Sequence, residues 1–167
     1  YGMFVFQDMI NSGKYSFILD TALPTVFLKK GISHRANKKR RADFDKTSKG
    51  IIENLYNHPS VVYYTIFNEG WGQFDADKYY EKLKKLDNTR VYDTASGWFK
   101  TKLSDVESEH IYFKPIKLKK AQKPLVLSEF GGFLRGAIGL VRGSVLFHAL
   151  AFAAGVFPEA DGFLSVS

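Results

Sequence analysis

The run VVYYTIF, Val61 to Phe67, is apolar at odd and even positions alike and stops abruptly at Asn68 and Glu69. Successive side chains of a strand point to opposite faces, so a strand without polar alternation needs cover on both sides. Its β-branched and aromatic residues favour a strand over a short buried helix. Two-sided cover is the condition of parallel sheets flanked by helices. GMFVF reads as another strand, ending at Gln7 and Asp8, and RVYDTAS, EHIYF and KPLVLSEFGG read as three more. The strands are expected near residues 2–6, 61–67, 90–94, 109–112 and 125–128, with Glu129 at the tip of the last.

Helical patterns separate them. Asp43 is expected to cap a helix through about Asn57, with Ile51, Ile52, Leu55 and Tyr56 on one apolar face. His58, Pro59 and Ser60 break it. Asp75 or Asp77 is expected to cap a second helix through Leu86, with Tyr80, Leu83 and Leu86 facing inward. Strand, helix, strand in repetition argues for parallel βα units. The segment from Ile10 to Ala42, punctuated by Gly13, Pro24 and Gly31, is long for a plain connection and reads as a functional loop.

With 167 residues, 45% hydrophobic and 25% charged, the chain is long enough for one globular domain with a core. It has no cysteine, which excludes disulfides, thiolate metal sites and a cysteine nucleophile. The formal charge of +7 gathers in HRANKKRR, His34 to Arg41, and KPIKLKKAQK, Lys114 to Lys123. Both read as solvated loops or short helices. Nucleic-acid binding through His34–Arg41 is a rival reading, but no nucleic-acid motif accompanies the charge. Ser144 to Phe157 is apolar, too short to span a membrane, contains His148 and reads as a buried helix. Neither nucleic acid nor membrane is therefore an expected partner.

Asp8, Asn68, Glu69, Ser96, Trp98, Tyr112 and Glu129 all follow or end an expected strand. In a (β/α)8 barrel and in a doubly wound open sheet alike, reacting groups lie at the carboxyl ends of strands. GGFLRG lacks the spacing of a phosphate-binding loop, which weakens the open-sheet alternative. A carboxylate after a strand can simply cap the next helix. Glu69 and Glu129, however, each have a small polar residue before them and glycine close behind. Glycoside hydrolysis needs two carboxyl groups flanking the anomeric carbon, about 5–5.5 Å apart in retaining enzymes. Trp71, Trp98, Tyr112 and Phe130 offer flat faces for a sugar or for the core, and Asn68 can bond a hydroxyl or a turn. A metal held by Glu69, His110 and Glu129 is a further alternative, without the support of a close ligand spacing such as H-x-x-x-H.

HPSVVYYTIFNEGWGQFD, DNTRVYDTASGWF, DVESEHIYFKP and PLVLSEFGGF together resemble the barrel domain of glycoside hydrolase family 2, which includes β-galactosidases, β-glucuronidases and β-mannosidases. NEGWGQ combined with SEFGG is specific. The resemblance runs from about Gly2 to Phe133 and implies an α/β fold, a partial (β/α)8 TIM barrel of about strands 3 to 7. It implies a retaining hydrolase of terminal β-linked sugars, with Glu69 as general acid/base and Glu129 as nucleophile. Asn68 would contact the sugar 2-hydroxyl, and Tyr112 would hydrogen-bond the nucleophile and keep it ionised. Asp8, Trp98, His110 and Trp71 would line the pocket. The chemistry needs no cofactor, and the implied partner is a carbohydrate.

After Phe133 the sequence departs from the family pattern, which continues with a polar, aromatic segment and a strand presenting a tryptophan. Residues 134–167 lack Trp, Tyr and Lys and read as an altered end or a helix. The opening YGMFVFQDM resembles the third barrel strand, so the sequence reads as the interior of a longer protein. Unclosed strand edges would favour self-association. A fragment that binds sugar without turning it over is the alternative function.

Overall fold

The computed structural model describes residues 2–11, 36–70, 72–97, 99–112, 116–118, 120–131 and 151–153. Its elements are β1 (Val5–Asp8), α1 (Lys38–Leu55), β2 (Val61–Phe67), a 3₁₀ turn (Asn68–Gly70), α2 (Ala76–Lys84), β3 (Val91–Ala95), β4 (Glu107–Tyr112), β5 (Leu125–Gly131) and β6 (Ala151–Ala153). β1, β2 and β3 form a parallel sheet in that order, joined through the two helices. β4 and β5 are parallel in a second sheet, and β6 lies antiparallel on β5.

The apolar run of β2 is covered on both faces, as its composition requires. Tyr64 and Ile66 join Phe44 and Ile52 of α1, Tyr79 and Leu83 of α2, and Phe67 and Phe74 in one core. Tyr63, one position along, turns to the opposite face and packs with Val106, Val126 and Phe6. The second sheet is tied to the first by side chains and turns. The Asp105 N–H donates to the Tyr92 carbonyl at 2.9 Å, and the Gly97 N–H to Ser108 Oγ at 3.0 Å.

α1 starts earlier than expected. Asn37, not Asp43, is its N-cap, accepting the Arg40 N–H at 2.9 Å. A basic first turn opposes the helix dipole. Tertiary partners outweigh that cost. Arg40 donates to the Gly72 carbonyl at 2.7 Å and Asn11 Oδ1 at 2.8 Å, and Arg41 pairs with Asp75. Both guanidinium groups lie over the Phe74 ring, at 5.4 and 4.9 Å. Part of the basic run is thus structural. The buried stripe of α1 is Phe44, Ser48 and Ile52, spaced at one helical turn; Tyr56 is exposed. Ser48 fits there because its hydroxyl donates back to the Phe44 carbonyl at 2.6 Å.

In α2 the residue before the helix is Asp75, but its carboxylate goes to Arg41 rather than to a cap. Tyr79 and Leu83 face inward; Leu86 lies past the end of the helix and is exposed. β1 is offset from the expected 2–6, because Val5 is the residue that pairs with Val61. β5 runs on to Gly131, so Glu129 sits within the strand and not at its tip. Ala151–Ala153, expected in a helix, pairs instead with Leu125–Leu127. β5 has an edge to satisfy on the side away from β4, and a short strand does so. The rest of residues 134–167 lies outside the described residues. Among the described residues no helix is long and apolar enough to cross a membrane.

Two polar knots hold the strands in register. The Asp87 side chain is fully buried and takes Arg90 Nη1 at 2.9 Å; Arg90 also donates to the Val61 carbonyl at 3.1 Å and the Tyr56 carbonyl at 2.5 Å. Asp105 accepts from Lys84 Nζ at 2.5 Å, the Tyr80 hydroxyl at 2.7 Å and the Tyr92 N–H at 2.8 Å. Burial alone would raise the Asp105 pKa, but these donors outweigh it and hold the carboxyl below its ordinary value.

Replacing Arg90 by Ala leaves the buried Asp87 without its cation and removes the donor to the Val61, Tyr56 and His58 carbonyls. Equilibrium denaturation is expected to show a loss of about 3 kcal/mol. A depressed folded pKa stabilises the fold above the unfolded carboxylate range, about pH 4, and that contribution disappears as pH falls through the folded value. The stability gap between the parent chain and Asp105→Asn should therefore narrow on acidification below about pH 4. A gap that stays constant or widens would contradict the assigned linkage.

Candidate active site

β2 delivers Asn68 and Glu69 into the 3₁₀ turn, where Glu69 adopts φ 50°, ψ 22°. A non-glycine residue in this left-handed region costs about 1 kcal/mol or more and persists only where its surroundings hold it. Here β3 holds it. The Glu69 N–H donates to Ser96 Oγ at 3.2 Å, and the Ser96 hydroxyl donates to Asn68 Oδ1 at 2.5 Å. Gly70 follows with φ 68°, and a Cβ there would stand 2.1 Å from the Phe99 ring. The glycine after Glu69 is thus required by contact as well as by backbone angle.

Glu129 comes from β5, directly opposite His110 on β4. The register breaks between Glu109 and His110: Glu109 pairs with Leu127 and His110 with Glu129, so Ser128 is an extra residue on β5. A bulge of this kind re-aims side chains that would otherwise alternate. Its consequence is local and chemical. His110 Nδ1 lies 2.9 Å from Glu69 Oε1 and 3.8 Å from Glu129 Oε2, while Nε2 lies 2.9 Å from Ser128 Oγ.

Tyr112 completes the cluster. Its hydroxyl meets Glu69 Oε1 at 3.1 Å and also bonds Glu129 Oε2. Burial, and then the two carboxylates beside it, push the phenol well above its ordinary range, so it remains a donor. Glu69 and Glu129 are both buried, 5% and 8% exposed. One oxygen of each and a ring nitrogen of His110 lie within 4.8 Å of one another. The three groups assembled here are a donor set that a divalent cation would accept. The fold brings them together without any short sequence spacing.

Beside the pair is an open cleft. It is lined by Asp8, Asn68, Ser96, His110, Ser128 and Glu129, with Phe6 and Thr65. The structure therefore gathers Glu69, Glu129, Tyr112 and His110 at one point and Asp8 and Asn68 on the adjoining wall. Trp71 and Trp98 lie outside the described residues. The strand and motif pattern of the sequence does not single out Ser128 or Asp93. Ser128 had a visible signal, a polar residue directly before Glu129. Asp93 lies beneath the site, receiving the Tyr63 hydroxyl at 2.8 Å, and burial pushes its carboxyl up. It had no signal beyond a polar break in the RVYDTAS run.

Gly97, with φ 75°, opens the space for the imidazole. A Cβ there would lie 2.5 Å from His110 Cγ. Gly97→Ala is expected to lower stability by about 1 kcal/mol or more and to shift the His110 ring resonances. An alanine variant with unchanged melting and unchanged ring shifts would show that this contact is not tight.

The chain matches the family model described as glycosyl hydrolases family 2, TIM barrel domain, over residues 29–143. No curated protein matches it.

Proposed function

The chain belongs to glycosyl hydrolases family 2, and from that premise we propose that it is catalytic-domain sequence of a retaining β-glycosidase. On this reading residues 1–133 are part of a (β/α)8 barrel, about strands 3 to 7, and the substrate is a terminal β-linked sugar. The observation that carries the reading is the Tyr112 hydroxyl in contact with both Glu69 and Glu129, whose nearest oxygens lie within 4.8 Å. That spacing suits direct attack by one carboxylate better than the wider gap, about 6.5–9.5 Å, that admits an attacking water.

In the first step Glu129 attacks the anomeric carbon and the glycosidic bond breaks. Glu69 passes its proton to the departing oxygen. In the second, water attacks the same carbon and gives its proton to Glu69, and the ester to Glu129 breaks. Tyr112 donates to Glu129 before attack, which holds the attacking carboxylate in its orientation. Asn68, held by Ser96 on the cleft wall, reaches the sugar 2-hydroxyl. Asp8, which also lines the cleft, takes another hydroxyl, and Trp71 and Trp98 supply stacking faces.

A panel of chromogenic β-glycosides tests this with the full chain and with a longer protein that contains it. Hydrolysis with retained anomeric configuration, read by proton NMR, is expected. Glu129→Gln should abolish turnover, and Glu69→Gln should lower it by about 10²–10⁴-fold. Inverted product, or turnover that survives Glu129→Gln, would refute the assignment.

A further inference from the structure

His110 sits at the centre of the cluster, yet neither of its ring nitrogens faces open space. Nδ1 is 2.9 Å from Glu69 Oε1 and Nε2 is 2.9 Å from Ser128 Oγ. The residue is 6% exposed. Its polar atoms are therefore spent on the protein. A role as a sugar contact uses neither nitrogen, so its chemistry is directed at Glu69.

Glu69 needs such a partner. A carboxyl group turns easily about its last torsion, which is broad and roughly two-fold. A proton donor whose two oxygens exchange places is poorly aimed. Tyr112 also touches Oε1, but a phenol has one hydrogen, and Tyr112 bonds Glu129 as well. While that hydrogen serves Glu129, it cannot serve Glu69. Among the described residues, the imidazole N–H is the donor that remains.

We propose that His110 is a positioning residue for Glu69. Its Nδ1–H donates to Oε1, and the Ser128 hydroxyl donates to Nε2 and so fixes this tautomer. Oε1 is then held as an acceptor, and Oε2 is the oxygen that gives and receives the transferable proton. Three independent features of the fold serve this arrangement. The bulge on β5 brings Ser128 and Glu129 to the same imidazole, which strict alternation forbids. Gly97 clears the ring's place. The left-handed turn at Glu69, locked by Ser96, aims the carboxyl at Nδ1. The inference rests on Glu69 being the acid/base, and the test separates the two claims.

The test compares kcat/KM for aryl β-glycosides whose leaving groups range from good to poor, using the full chain. Proton donation matters only for poor leaving groups. Loss of a hydrogen bond to an ionisable group corresponds to about 10–100-fold. His110→Leu should lose that much on poor leaving groups and little on good ones, through kcat rather than KM. His110→Asn, whose amide can replace the Nδ1 donor, should recover part of the loss. Ser128→Ala should show the same selectivity with a smaller amplitude. Glu69→Gln is the control and should show the strongest selectivity of all.

A selective Glu69→Gln beside a His110→Leu that loses equally on every substrate, or only through KM, overturns the role of His110 and leaves Glu69 in place. A Glu69→Gln without selectivity overturns both. A second measurement needs no turnover: nitrogen-15 spectra, with the His110 signals assigned from their loss in His110→Leu. The neutral ring should carry its proton on Nδ1, and a proton on Nε2 overturns the proposal.

Discussion

Two carboxyl groups buried with their oxygens within 4.8 Å are the arrangement around which the rest of this molecule is organised. Like charges so close in a medium of low polarity repel strongly, and each alone suffers from lost hydration. Such a pair exists only where donors are built in beside it. Tyr112 and His110 are those donors, and both come from β4, the strand that lies against Glu129 and reaches across to Glu69. Burial, and then its carboxylate neighbours, push the phenol well above its ordinary range in favour of the neutral form. It is thus a permanent hydrogen-bond donor, which an acid of ordinary strength in its place would not be.

Positioning of this quality requires rigid supports on both sides. Glu69 stands on the β2 turn, strained and pinned by Ser96, the residue after β3. Glu129 stands within β5 opposite His110 of β4, and β6 pairs with the start of β5, Leu125 to Leu127, on the other side. The strained backbone at Glu69 is tolerated because β2 behind it is fully packed. Tyr64 and Ile66 are sealed under the helices and Tyr63 is stacked on Phe6, with ring centroids 4.2 Å apart. The helical side of the sheet contributes stability and the other side contributes the cleft, and the alternation of side chains along one strand separates the two tasks.

Much of this was legible in the residues. VVYYTIF, with no polar alternation, could hardly be anything but a doubly covered strand, and both glutamates were marked by the way they ended or interrupted apolar runs. What escaped was set by partners distant in sequence. Asn37 outcompeted Asp43 as a cap because Arg40 and Arg41 found Gly72, Asp75 and Phe74 across the fold. Tyr56 and Leu86 kept to the apolar pattern but lay at or beyond helix ends, where both stay exposed. The bulge at Ser128 left no mark on the sequence, since a register shift is a property of two strands together. Ala151–Ala153 has a composition that suits helix or strand, and the open side of β5 decided between them.

The proposed cycle moves one negative charge from Glu129 to Glu69 and back, once per turnover. In water this would reorient many solvent dipoles at each step, and the cost of that reorganisation would sit in the barrier. Here the oxygens concerned already touch a common hydroxyl. When Glu129 becomes an ester it no longer needs the phenol hydrogen, and Glu69, newly ionised, does. Rotation about one C–O bond of Tyr112 carries the hydrogen from Oε2 of the first to Oε1 of the second without moving a heavy atom. The imidazole N–H stays on Glu69 throughout, so the charge arrives at a site that already has one donor and gains another. On this reading the closeness of the two carboxyl groups, unfavourable in the resting protein, is what lets a single fixed set of donors serve both halves of the reaction.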